Sequence, residues 1–212
     1  MKERPILFSA SMVRAILDGR KTMTRRIVKP QPEIRDYGCW YPPVPVNERW
    51  RSAKHYANEA HMRRGLPMDF NPYGQPGDRL WVKETWSLPA IFDALKPSDP
   101  SLGPRAKETV RYLADGNKSG KTRVSIHMPR WASRITLEIT NIRVERLQDM
   151  HHKADQFEAE GIVLPPSELY QDINGSDKLE RHFIKLWDSI NGPGAWDKNP
   201  WVWVIEFKRV VA

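Results

Sequence analysis

The side chains able to do chemistry are spread unevenly along the chain. Gly19-Arg20-Lys21-Thr22-Met23-Thr24-Arg25-Arg26 packs four cations and two hydroxyls into eight positions. Residues 1–29 as a whole hold eight Lys/Arg against two Asp/Glu. Residues 117–134 hold Lys118, Lys121, Arg123, Arg130 and Arg134 and no acid. Two such segments would suit one phosphate-facing surface, and ordinary solvated surface is the plain alternative. Trp81, Trp86, Trp131 and Trp196 would accept a stacked base, because any base offers a π-face. Core packing or loop anchoring is the plain alternative for each. His151 and His152 are adjacent. On a helix they would point about 100° apart and could not hold one metal from one face. Cys39 is the only cysteine, so neither an internal disulfide nor a zinc-finger pattern is available. A phosphate loop, a nucleophile elbow and a paired-histidine helix motif are all missing. We therefore expect no metal and no cofactor.

The elements that must position these residues follow from pattern. Pro5-Ile6-Leu7-Phe8 reads as a strand. Ser9 or Ser11 can cap a short helix through Leu17, with Met12, Ala15 and Ile16 on its core face and Gly19 as its stop. Residues 21–28 read as a strand. Eight prolines between 30 and 77 break any long element, so this stretch is expected to be a loop-rich insertion with one helix near residues 53–64. Gly77-Asp78 is a turn into a strand over 79–86, with Leu80, Val82 and Glu84 on one side. Residues 87–132 read as a second irregular stretch with one strand at 110–113. Ile135, Leu137 and Ile139 alternate with polar neighbours, and the phase slips at Asn141, as a bulge would make it do. Asp149 is expected to cap a helix running to about Glu160. Leu179, Phe183, Leu186 and Ile190 mark a second amphipathic helix. The last strand, 201–210, is apolar on both faces at its start and is expected to be central. The fold class expected is α+β.

The Gly19–Arg26 segment resembles the signature of ASCH domains, Gly-x-Lys-x-x-Glu-x-Arg, through Gly19, Lys21 and Arg26. Thr24 stands where the general motif has Glu, as it does in the small bacterial N(4)-acetylcytidine amidohydrolases. Gly77-Asp78-Arg79-Leu80, the strand 135–147 followed by a helix ending Glu158-Ala159-Glu160-Gly161, and Val204-Ile205-Glu206-Phe207-Lys208 resemble further blocks of that group. The resemblance implies a single PUA-like domain over 1–212, a small β-barrel flanked by helices, with insertions at about 30–76 and 87–132. It implies that Lys21, Thr24 and Glu160 share one cleft. Thr24 would be the nucleophile, which needs a base to take its proton. Lys21 would be that base if burial or the cations Arg20, Arg25 and Arg26 lower its proton affinity. Glu160 would orient Lys21 or pass a proton to the leaving amine. The alternative is a Lys21–Glu160 salt bridge with Thr24 an ordinary strand residue. Arg20, Arg26, Glu84, Trp81 and Trp86 are the expected substrate-binding residues, and Lys118, Lys121, Arg123 and Arg130 the expected nucleic-acid contacts.

Bulk composition narrows the function classes. The apolar fraction is 40% and the charged fraction 28%, as in soluble globular chains. No run of about 18 apolar residues exists, so no membrane span is expected. Residues 1–9 contain no apolar stretch of signal-peptide length, and a cytoplasmic location is expected. The net charge of +8 favours polyanionic partners. The leading expectation is an amidohydrolase acting on N-acylated cytidine or a related modified nucleoside. The alternatives are a non-catalytic RNA-binding module and a ribonuclease that uses the same basic residues on a phosphate transition state. The resemblance to ASCH proteins also suggests a prophage source without fixing a role.

Overall fold

The computed structural model describes residues 1–46, 49–99, 102, 104–169 and 175–210. In chain order its strands are β1 (Glu3–Leu7), β2 (Met23–Ile27), β3 (Glu33–Arg35), β4 (Gly38–Tyr41), β5 (Val44–Val46), β6 (Arg49–Arg51), β7 (Lys54–Tyr56), β8 (Arg79–Lys83), β9 (Trp86–Ser87), β10 (Arg111–Tyr112), β11 (Thr122–Arg123), β12 (Thr136–Arg146) and β13 (Trp201–Val210). Its α-helices are α1 (Ala10–Leu17), α2 (Glu59–Asp69), α3 (Pro104–Glu108), α4 (Ala154–Ala159), α5 (Pro166–Leu169) and α6 (Gly175–Asn191). The largest sheet has the strand order β1-β8-β12-β13-β2, and three small sheets have the orders β10-β9-β11, β3-β4-β7 and β5-β6. The fold is mixed α+β. Among the described residues no sheet closes on itself, so the expected small barrel is replaced by open sheets. No helix among the described residues is long and apolar enough to cross a membrane.

The chain divides into two compact units. The first comprises 1–22, 76–140 and 207–212. Here β1 runs parallel to β8, with Ile6 opposite Val82, and β12 runs antiparallel to β8, with Leu137 opposite Leu80. The Ser9 side chain accepts from the Met12 N–H and so caps α1, and Gly19, at φ 76°, stops it. Only a residue without Cβ enters that left-handed region at little cost. The buried face of α1 is Val13, Ala15 and Ile16, so Val13 takes the place expected of Met12. A second core in this unit joins Trp86, Leu88, Leu102, Ala106, Val110, Met128 and Ala132. The stretch 87–132 therefore builds its own apolar cluster out of short pieces.

The second unit comprises 23–75 and 141–206. Strand β2 pairs antiparallel with β13, setting Thr24 opposite Ile205 and Arg25 opposite Val204. Residues 30–76 are more ordered than the expected loop. They carry the β3-β4-β7 sheet and α2, which starts later than expected because Asn58 accepts from the His61 N–H. Gly38, at φ 133°, turns β3 into β4, where a Cβ would strike the Tyr56 carbonyl oxygen. The core joins Met23, Met150, Phe157, Leu179, Phe183, Trp187, Trp196, Val202 and Val204. The α6 stripe is thus Leu179, Phe183 and Trp187, at spacings of four, while Ile190 is 51% exposed. Each such large side chain contributes about 2–3 kcal/mol on burial.

Candidate active site

Met23, Thr24 and Arg25 are successive and all buried, so β2 has no solvent face there. Thr24 is 2% exposed and Arg25 4%. A guanidinium in such a place must be paired, because an uncompensated buried charge costs several kcal/mol. Arg25 Nη1 donates to Glu160 Oε1 at 3.2 Å, and Nη2 donates to Gln156 Oε1 at 2.5 Å. Glu145 Oε2 lies 3.7 Å from Nη2. Nη1 also touches Met23 Sδ at 3.3 Å, and Arg25 Nε is buried without a hydrogen-bond partner.

The acid comes from the end of α4. Gln156 and Glu160 are four residues apart and so lie on one helical face. Glu160 is the C-terminal cap, with its N–H on the Gln156 carbonyl, and Gly161 turns left-handed at φ 82°. The expected helix end at Glu160-Gly161 stands. Its expected start does not. Asp149 instead accepts from the Arg146 N–H across a 3-10 turn, Leu147–Met150, and α4 begins only at Ala154. Arg26, next along β2, has its pKa pulled down by burial, against the opposing influence of Tyr73 and Glu160. Burial pushes the Tyr73 hydroxyl up, and Arg26 opposes that. Tyr73 and Gln156 are site neighbours that pattern reading missed. Neither belongs to a motif, and only the fold brings them to β2.

Lys21 precedes β2 and belongs to the first unit's opening segment. It is 2% exposed, and its ammonium lies 5.8 Å from the centre of the Phe8 ring. Its N–H, like that of Arg20, donates to the Ala15 carbonyl, wrapping the end of α1. The Arg20 side chain is exposed and pairs with Asp18 at 2.8 Å.

Several expected binding residues are engaged elsewhere. Trp86 is fully buried, edge-on to Trp131 at 5.7 Å, with the Arg123 guanidinium 5.5 Å from its ring. A fully buried ring has no face left for a base. Arg123 is itself buried and donates to the carbonyls of Leu95 and Phe92 at 3.0 and 2.7 Å. It ties a loop together instead of meeting phosphate. Arg130 pairs with Glu3 at 3.0 Å. Glu84 is 1% exposed and is gripped by Arg134. Trp196 lies in the second unit's core, against Phe183. What remains of the expected nucleic-acid contacts is Lys118 and Lys121, both exposed. Trp81 is half-buried, with the Lys83 ammonium 5.6 Å from its ring.

His151 and His152 lie outside any helix. His151 closes the 3-10 turn at φ −52° and ψ 134°, and His152 has φ 57°. The helical argument against their acting together therefore fails. Cys39 is buried, and burial pushes its thiol up, which makes it inert. No protein-family model, curated protein or solved structure matches the chain.

Proposed function

We propose that the chain is an ASCH-type amidohydrolase that removes an acyl group from N-acylated cytidine or a related modified nucleoside in the cytoplasm. In this reading the PUA-like core is drawn from 1–29, 77–86 and 135–210, and the other segments are insertions. Thr24 Oγ1 attacks the acyl carbonyl while Lys21, as the neutral amine, takes the hydroxyl proton. Glu160 assists proton delivery to the departing exocyclic amine. Water then hydrolyses the acyl-threonine, releasing the acid and restoring Thr24. Arg26 and Trp81 are assigned to nucleoside binding.

The observation that carries the reading is the buried Arg25–Glu160 pair. The strand bearing Thr24 sets a buried arginine against this carboxylate at 3.2 Å, with Glu145 further off at 3.7 Å, and Glu160 is the acid that the motif resemblance singles out. A buried ion pair is a costly way to gain stability, so its presence on the strand that bears the candidate nucleophile favours a positioning role. The RNA-binding reading loses support, because Arg123, Arg130 and Arg134 all have partners within the chain. The test is to incubate the protein with N(4)-acetylcytidine and with short RNA and to follow acetate release, strand cleavage and binding together. Acetate release is expected. Binding without release would favour the binding module, and cleaved RNA the nuclease.

A further inference from the structure

We propose that His151, His152 and Glu180, with Asp177 as fourth ligand, form a zinc(II) site, independent of the amidohydrolase reading. All four residues lie in the second unit. The turn after Met150 does what a helix could not. With His152 at φ 57°, a region that non-glycine residues seldom enter, the two adjacent imidazoles lie on the same side, ring centres 3.7 Å apart. Asp177 and Glu180 are three residues apart on α6 and share a face. His151 Nδ1 bonds directly to a Glu180 carboxylate oxygen. His152 Nδ1 is 3.4 Å from Asp177 Oδ1 and 3.9 Å from Glu180 Oε2. One donor atom from each of His151, His152 and Glu180 falls within 4.8 Å of the others.

These separations suit a tetrahedral ion. Zinc–nitrogen and zinc–oxygen bonds of about 2.0–2.2 Å place neighbouring ligand atoms about 3.4 Å apart. The His151–Glu180 hydrogen bond marks where the ion enters: zinc replaces the shared proton, and the two ligand atoms separate to admit it. Two imidazoles with carboxylates select zinc over magnesium or calcium, which prefer oxygen alone. Glu180 supplies a carboxylate whose side chain is only 6% exposed, while the rings are 53% and 64% exposed and leave the ion a path in. Binding would clamp the 147–152 turn to α6.

The test uses untagged, EDTA-treated full-length protein titrated with zinc chloride by calorimetry. One equivalent should bind, the melting temperature should rise, and cobalt(II) in place of zinc should show the intense visible absorption of a tetrahedral site. Magnesium chloride should give none of these. His152→Asn keeps a residue that tolerates positive φ at an exposed position, and should weaken zinc binding at least about 10-fold. Glu180→Gln should do the same, and His61→Asn, on α2, should change nothing. The inference is overturned if zinc does not bind stoichiometrically, or if His152→Asn binds it as tightly as the wild type. Acetate release from N(4)-acetylcytidine should be unaffected by His152→Asn, so the zinc site and the hydrolase reading fail separately.

Discussion

Each unit holds a buried glutamate by an arginine, and the two pairs are finished differently: Arg134 keeps contact with solvent, whereas Arg25 is buried with its acid. In the first unit Arg134 Nε and Nη2 grip both oxygens of Glu84 at 3.0 and 3.1 Å. Its Nη1 and Nη2 bond Asp115 at 2.6 and 2.8 Å, and its guanidinium lies 3.9 Å from the Tyr112 ring centre. Every nitrogen is used. Its neighbours hold the Arg134 charge firmly, and burial lifts the Tyr112 hydroxyl to about 12. In the second unit Arg25 gives Glu160 a single bond from Nη1, directs Nη2 to a neutral amide with the Glu145 carboxylate at 3.7 Å, and leaves Nε without a hydrogen bond. A saturated bidentate clamp is what structure needs. A buried donor left unmatched calls for another explanation, and function is a common one. The comparison teaches that a buried carboxylate held by an arginine does not by itself mark a site, whereas a pair buried on both sides and incompletely satisfied beside a motif is informative.

The largest expected effect falls on the Arg25–Glu160 side. Lys21→Met should lower kcat for N(4)-acetylcytidine by about 10³-fold or more, since losing the proposed base would disable the whole unit. Glu160→Gln should be milder, because it keeps the shape and one hydrogen bond. Steady-state kinetics with urea melts on the same samples would separate catalytic loss from unfolding.

Next in size is the structural pair. Arg134→Met should cost about 3–5 kcal/mol of stability by leaving Glu84 buried without its cation. The sign of its pH dependence follows from Glu84. Burial raises the carboxyl above its ordinary 4.5, and Arg134 opposes the rise. The folded state thus holds this proton more tightly than the unfolded state does. That contribution is complete below the ordinary value and is lost as pH rises through the raised one. Without Arg134 the rise is larger, so the variant's deficit should widen from acid towards neutral pH. Urea melts across that range would show it, and a pH-independent deficit would count against the clamp.

Smaller effects should separate buried from exposed cations in 117–134. Arg123→Ala strips donors from the carbonyls of Leu95 and Phe92 and should cost about 1–3 kcal/mol. Lys118→Ala with Lys121→Ala should shift stability by less than about 0.5 kcal/mol. Any RNA affinity should lose about 0.7 in salt slope for each phosphate contact those lysines make. A slope change well beyond two contacts would restore the broad basic surface.

How much of this was legible follows from range. Local patterns read well. Gly19 ends α1, and Ser9 caps it. The alternation of Leu137 and Ile139 appears in β12, with the slip visible as exposed Thr140 and Asn141 before buried Ile142 and Val144. Strand β13 is interior, as its doubly apolar start required. What failed was set by distant partners or rare backbone. Strands β3, β4 and β7, of three to four residues, are too short to show a period, so a proline-rich stretch hid a sheet. His152 enters the left-handed region without being glycine, and no sequence cue announces that. Of the proposed site, Lys21, Thr24 and Glu160 could be named only from motif resemblance. Arg25's grip on Glu160, 135 residues away, could not, because nothing local encodes it.

The most direct test of the central claim is acetate release from N(4)-acetylcytidine by wild-type protein and by Thr24→Ala, measured side by side on samples shown to be equally folded. The account predicts turnover by the wild type and its loss in the variant, since the proposed mechanism takes the Thr24 hydroxyl as its nucleophile. Equal release by the two proteins would contradict it, because the nucleophile would then be water or another residue.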